Sequence, residues 1–360
     1  MEKIKVLVVD DSAFMRKLIT NFLEEDDRFQ VVGIARNGLD AIQKVKELKP
    51  DVITLDVEMP ILNGIKALEE IMKVQPVPVV MLSSTTKEGA ENTIQALQYG
   101  AVDFVTKPSG AISLDLHIVK EEIKEKVLHA SKVKKGNLKQ YSSLVTSSML
   151  EVNPYSKIEE TEIVKPMRLS KRIVCIGTST GGPRALQQVL TRIPSEIDAP
   201  ILIVQHMPAG FTKSLATRLN SLSQIEVKEA EDGEIVRKGT AYIAPGGLHL
   251  RVKKVGTSLA VQLDTSPPRN GHRPSVDTLF ESISQLADYA KVAVIMTGMG
   301  SDGTEGLKAL KALGEVRSIA ESEETSIVYG MPKSAVGSSK IDRVVRLDKI
   351  AEQIMKMLHE

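Results

Sequence analysis

Apolar and polar positions along the first third of the chain follow a regular alternation of two periods. Five short apolar runs, rich in β-branched residues, are IKVLVV (4–9), VVGIA (31–35), VITL (52–55), PVVML (78–82) and VDFVT (102–106). Near 13–25, 38–48, 64–73 and 88–99, and again after 112, apolar residues recur instead at the spacing of an amphipathic helix. Strands buried on both faces read as continuous apolar runs, and strand–helix alternation predicts a doubly wound parallel sheet over 1–128.

From 129 to 168 the periodicity stops. SKVKKGNLKQYSSLVTSSMLEVNPYSKIEETEIVKP is polar and rich in Ser and Lys, the composition of a linker. Residues 169–360 resume the alternation with RIVCIG (172–177), PILIVQ (200–205) and KVAVIM (291–296), each an apolar run followed by a helical pattern. Between the second and third of these, TAYIAPGGLHLRVKKVGTSLAVQLD (240–264) alternates and carries Gly-rich turns, so antiparallel hairpins are expected there. EVRSIA (315–320) is a further candidate strand, and the chain finishes on an amphipathic helical pattern. The second unit is therefore expected to be α/β, with a mainly parallel sheet and an inserted antiparallel hairpin region.

Composition narrows the function classes. With 42% hydrophobic and 26% charged residues, the chain reads as a globular α/β protein of ordinary domain size. A net charge of +1, 3% aromatics and no Trp offer neither a basic field nor a stacking surface for nucleic acid. No apolar run approaches the ~18 residues of a membrane span, and no signal-peptide pattern opens MEKIKVLVVDD, so a cytoplasmic protein is expected. The single Cys175 lies inside an apolar run and reads as a small buried hydrophobe.

Ligands of open α/β sheets collect at the carboxyl ends of the strands. In the first unit those ends carry Asp10-Asp11, Asp56, Ser83-Ser84 and Lys107-Pro108. Three carboxylates meeting at one edge repel each other unless a cation lies among them, and hard oxygen ligands suit Mg2+. Lys107 supplies a fixed positive charge and Ser83 a hydroxyl for phosphoryl oxygens. VVDDS, TLDVEMP, MLSS and FVTKP, in that order, resemble the receiver domain of response regulators. The resemblance implies a flavodoxin-like fold in which Asp56 takes a phosphoryl group from a chemotaxis-type histidine kinase. It also implies Mg2+ held by Asp10, Asp11, Asp56 and the backbone carbonyl of Glu58, and a switch pair formed by Ser83 and Phe104.

In the second unit, three strand ends each present one reactive side chain: Ser179, His206 and Asp302. These are the parts of a nucleophilic triad. Gly177-Thr178-Ser179-Thr180-Gly181 fits the G-x-S-x-G elbow that exposes a serine on a tight turn. A phosphate-binding loop is the competing reading of the same glycines; it lacks a Walker lysine, does not fit G-x-G-x-x-G, and leaves His206 and Asp302 without a role. Asp302 could also serve only as a cap for the helix that follows it. GTSTGG, QHMP, APGGLHL, HRPSVDTLF and MTGMGSDG, in order, are similar to the catalytic domain of the chemotaxis protein-glutamate methylesterases. This resemblance implies hydrolysis of glutamate methyl esters on chemoreceptors, with deamidation of some glutamines. It implies Ser179 as nucleophile, His206 as base, Asp302 as orienting acid, Met299 N–H as oxyanion donor, Thr180, His272 and Arg273 as pocket residues, and no cofactor for the ester reaction. It further implies that phosphorylation of Asp56 relieves a block on the Ser179 cleft. A receiver-controlled DNA-binding protein and a non-catalytic receptor adaptor are the other classes; no helix-turn-helix pattern supports the first.

Overall fold

The structure, a computed structural model, describes residues 2–108, 113–133, 169 and 171–359. The chain divides into two compact units, Met1–Pro154 and Tyr155–Glu360. The linker expected over 129–168 lies, from 134 on, outside the described residues.

The first unit alternates β1 (Ile4–Val9), α1 (Ala13–Glu24), β2 (Phe29–Ala35), α2 (Gly38–Leu48), β3 (Val52–Asp56), α3 (Gly64–Val74), β4 (Val79–Ser83), α4 (Lys87–Gln98), β5 (Asp103–Thr106) and α5 (Ser113–Ser131). Its five strands pair in parallel in the order β2-β1-β3-β4-β5. β3 and β4 are buried at every position, as their unbroken apolar runs require. Ser12, Asn37, Asn63 and Thr86 cap α1 to α4, each side-chain oxygen accepting a backbone N–H of the first turn. Gly64 opens α3 so close to β3 that a Cβ there would overlap the Asp56 carbonyl.

The second unit runs β6 (Lys171–Thr178), α6 (Gly182–Leu190), β7 (Ile201–Gln205), α7 (Phe211–Asn220), β8 (Glu226–Glu229), β9 (Thr240–Ile243), β10 (His249–Val255), β11 (Ser258–Asp264), α8 (Val276–Ser284), β12 (Tyr289–Ile295), α9 (Thr304–Ala312), β13 (Val316–Glu321), α10 (Met331–Gly337), β14 (Arg343–Val345) and α11 (Leu347–His359). Seven strands form a parallel sheet in the order β14-β13-β12-β6-β7-β9-β8. The expectation of hairpins throughout 240–264 needs correction at its start. β9 is buried at all four positions and joins the main sheet parallel to β7 and β8; only β10 and β11 form the antiparallel pair.

Cys175, Val204, Leu250, Val261, Leu279 and Phe280 belong to one buried cluster that joins the sheet, the β10–β11 hairpin and α8. Burial pushes the Cys175 thiol far above its ordinary range, which keeps it inert. From central β6 the chain winds one way through β7 to β9 and β8, then returns to add β12, β13 and β14 on the other side. That reversal is the switch point at which α/β sheets open a crevice.

Candidate functional site

In the first unit, Asp10 and Asp56 are buried at the ends of β1 and β3, and Asp11 is exposed beside them. One oxygen from each of the three lies within 4.8 Å of the others, a hard-oxygen donor set that fits Mg2+. Lys107 Nζ stands 2.9 Å from Asp10 Oδ2 and 2.7 Å from Asp56 Oδ2. Burial pushes the Asp56 carboxyl up to about 6, although Lys107 pulls the other way. Burial also works against the Lys107 ammonium, but Asp56 and Asp10 outweigh it and raise its pKa. Glu58 N–H donates to Asp56 Oδ1 at 3.2 Å, and the Glu58 carboxylate accepts from Ser84 Oγ. Ser83 Oγ is fully buried, donates to the Gly89 carbonyl and accepts from Thr93 Oγ1. Phe104 is buried, with the Lys126 ammonium 5.1 Å from its ring centroid.

In the second unit, Ser179, His206 and Asp302 follow β6, β7 and β12 at the switch point. Ser179 is half-buried on a tight turn: Gly182 N–H donates to its carbonyl at 2.7 Å and Gly181 takes φ +79°. α6 begins directly after it, with Pro183 in its first turn, where a missing N–H costs nothing. Ser179 N–H is tied across the crevice to Thr297 O at 3.0 Å. Gly298 packs so close that a Cβ there would lie 2.8 Å from Ser179 Cβ and overlap the Met331 sulfur.

His206 Nε2 is 2.7 Å from Asp302 Oδ2. The other ring nitrogen, Nδ1, is buried and has no hydrogen-bond partner among the described residues. His272 stacks on the His206 ring, centroids 3.8 Å apart and planes 14° from parallel. Asp302 is 2% exposed and saturated with donors. Its Oδ1 accepts from Ser275 Oγ (2.9 Å), Asp277 N–H (3.0 Å) and Gly303 N–H (3.1 Å), and its Oδ2 accepts from Val276 N–H (2.7 Å). Burial alone would raise its carboxyl. The His206 bond and charge, then the Asp277 and Val276 amides, outweigh burial and hold it far below the usual carboxylate range.

Asp302, which the sequence offers as a possible cap for the helix following it, instead holds the first two amides of α8, the helix beginning at Val276; at α9 it accepts only from Gly303, the residue before that helix. Asp277, in the first turn of α8, returns the arrangement: its Oδ1 accepts from Gly303 N–H (2.9 Å) and Gly306 N–H (2.7 Å) at the start of α9. Two helix N-termini therefore face each other, each holding the other's carboxylate. Asn270 donates to both, at 3.0 Å to Asp277 and 3.4 Å to Asp302. Burial raises the Asp277 carboxyl, and the Asp302 charge beside it adds to the rise.

Of the other expected pocket residues, Thr180 follows Ser179 and Met299 follows Gly298, which packs against Ser179; the Thr180 carbonyl accepts from Thr297 Oγ1 at 2.9 Å. Among the described residues, nothing accepts the Met299 N–H, whereas Gly298 N–H is occupied by Val328 O. The Arg273 guanidinium donates to the carbonyls of Thr265 and Ser266. Sequence patterns did not single out Ser275, Asp277, Gln205 or Glu321. Ser275 had a signal, a helix-capping serine just before VDTLF. Glu321, fully buried, accepts from Thr297 N–H at 2.8 Å and Thr325 Oγ1 at 3.0 Å, and burial pushes its carboxyl up to about 7.

Residues 174–354 match the family model described as CheB methylesterase, and residues 6–118 match that of the response regulator receiver domain. The chain belongs to the CheB methylesterase family. A protein-glutamate methylesterase/protein-glutamine glutaminase of Halalkalibacterium halodurans is 57% identical over 98% of both chains, and one of Geobacillus kaustophilus is 55% identical over 100% of both. The crystal structure of the Thermotoga maritima CheB methylesterase catalytic domain is 46% identical and superimposes with a TM-score of 0.51, covering 52% of this chain and 100% of that one.

Proposed function

We propose that this chain is a receiver-regulated protein-glutamate methylesterase, with glutaminase activity on the same receptors, that works through Ser179, His206 and Asp302. The observation that carries the reading is the His206–Asp302 bond: a buried, donor-saturated carboxylate fixed on Nε2 of a histidine one strand away from an elbow serine.

Because Asp302 stays anionic, His206 Nε2 bears the proton and Nδ1 is left with the lone pair. Nδ1 takes the Ser179 hydroxyl proton as Oγ attacks the ester carbonyl, and the imidazolium is stabilised by Asp302. The oxyanion of the tetrahedral intermediate is received by Met299 N–H and the start of α6. His206 returns the proton to methanol as it leaves, then activates the water that releases the glutamate carboxylate. A glutamine substrate follows the same course with ammonia as the leaving group.

In the receiver, Asp56 is the phosphoryl acceptor, with a histidine kinase as donor. Asp10, Asp11 and Asp56, with the Glu58 carbonyl, would hold Mg2+, which neutralises phosphoryl oxygens when bound. Lys107 keeps the carboxylates at close range through charge and provides a positive partner for the phosphoryl group. Ser83 and Phe104 are the pair whose rearrangement reports phosphorylation. The chemoreceptors are the substrate, met in the cytoplasm; His272, Thr180 and Arg273 line the pocket.

The test is methanol release from methylated receptor by the full chain, with Ser179→Ala as the comparison. Release by wild type and none by Ser179→Ala is expected. Equal release by both would return the GTSTGG turn to a binding loop, and no release by either would favour the adaptor.

A further inference from the structure

β6 and β7 are parallel neighbours whose backbone ladder ends at His206 N–H, which donates to Thr178 O at 3.1 Å. One residue later both chains leave the sheet, one into the Ser179 turn and the other into the loop carrying His206. Past this point no backbone bond among the described residues ties the serine directly to the histidine. The Gln205 side chain, 2% exposed, occupies that gap. Its Nε2 lies 3.0 Å from Ser179 O and 3.0 Å from His206 O, one N–H for each carbonyl. Its Oε1 accepts from Thr178 Oγ1 at 2.7 Å, and Thr178 is fully buried.

The orientation of this amide is decided by chemistry. Turned over, Oε1 would face two carbonyl oxygens with no proton between them, and Nε2 would take over the position held by the Thr178 hydroxyl bond. The space is reserved as well: a Cβ on residue 182 would collide with Gln205 Oε1, and Gly182 N–H shares the Ser179 carbonyl with Gln205. A planar, buried group with each polar atom bonded is stiff, and it touches the backbone of both residues at once.

We infer that Gln205, locked by the Thr178 hydroxyl, is a positioning clamp that sets the spacing of Ser179 and His206. Neither residue touches the reacting atoms; both act through the backbone of those that do. The inference rests on the reading of Ser179 as nucleophile and His206 as base.

The test uses the full chain and steady-state methanol release, together with the rate at which a fluorophosphonate labels Ser179. Gln205→Met keeps the length of the side chain and removes its polar atoms. Thr178→Val removes only the hydroxyl, and Thr178→Ser keeps it. A misplacement of about 1 Å in a reacting pair costs on the order of 10²-fold, so Gln205→Met is expected to lose about 10²-fold in kcat with KM within about threefold of wild type. Thr178→Val should lose about tenfold, Thr178→Ser about twofold or less, and the labelling rates should follow kcat. Wild type that releases no methanol, or Ser179→Ala that does, removes the functional reading itself. An active wild type and a dead Ser179→Ala, with Gln205→Met within about threefold in kcat or impaired in KM alone, overturns the clamp while leaving that reading intact. If Gln205→Met does not fold, the threonine pair decides: Thr178→Val matching Thr178→Ser overturns the clamp.

Discussion

Asp302→Asn separates the two tasks of this carboxylate. The new amide oxygen would take the Oδ1 position, where Ser275 Oγ and the Asp277 and Gly303 amides converge. Its NH2 would then stand at the Oδ2 position, opposite Val276 N–H and His206 Nε2. Both of those are donors in the wild type. His206 can escape only by moving its proton to Nδ1, which abolishes the base; in a serine hydrolase the corresponding change costs about 10⁴ in kcat. Val276 N–H has no escape and stays buried and unpaired, at about 1–3 kcal/mol. Removing the charge from the start of α8 costs about 0.3–2 kcal/mol more. The sum, about 1–5 kcal/mol, lowers the unfolding midpoint of the catalytic unit by roughly 3–20 °C. Steady-state methanol release and calorimetry of the full chain measure the two losses. A kcat within about tenfold of wild type would refute the Nε2-protonated arrangement. A dead enzyme with an unchanged midpoint would refute the capping role.

Three further outcomes are expected. Gly298→Ala should lower kcat by about 10²-fold, because the added carbon presses on the Ser179 backbone as well as on the Met331 sulfur; unchanged labelling of Ser179 by a fluorophosphonate would count against that contact. Glu321→Gln should stabilise the protein at pH 8 and leave it unchanged near pH 4.5. A carboxyl whose folded pKa of about 7 exceeds its unfolded value binds more protons folded than unfolded, so stability falls as pH rises through that window; the cost reaches about 3 kcal/mol, and denaturant titrations at the two pH values read the difference. Asp56→Asn should remove the acceleration of methanol release by a small phosphodonor with Mg2+, an effect of about 5- to 150-fold if the coupling is of ordinary size; a variant that still responds would move the phosphoryl site elsewhere.

The strands that carry the sites were legible because they are buried on both faces. β3, β4, β7 and β12 are apolar at nearly every position, and the reactive residues follow where those runs end. β8 and β14 were not legible. They are the two edges of the large sheet, and their sequences, EVKE and RVV, are half-solvated and charged as edge strands are. TAYI was misassigned to a hairpin because its neighbours alternate, whereas its own four residues are all buried. That Ser179, His206 and Asp302 stand at neighbouring strand ends could be read from the apolar runs alone, but what holds them there could not. A glutamine or glutamate within an apolar run gives no sign of whether it is solvated or bonded until its partner is known. The partners of Gln205 are 26 and 27 residues from it or adjacent to it, and those of Glu321 are 24 and 4 residues away.

The exchanged caps of α8 and α9 leave Asp302 no freedom to loosen by itself. To swing Asp302 away from His206 is to strip the amides of Val276 and Asp277, and those helices hold their own starts through each other. Amide protons at 276, 277, 303 and 306 should therefore exchange with deuterium as one group, at a rate set by the opening of the whole corner. On the proposed reading of Asp302, competence in this region is then all-or-none: a molecule warm enough to lose the Asp302–His206 bond has already lost two helix ends.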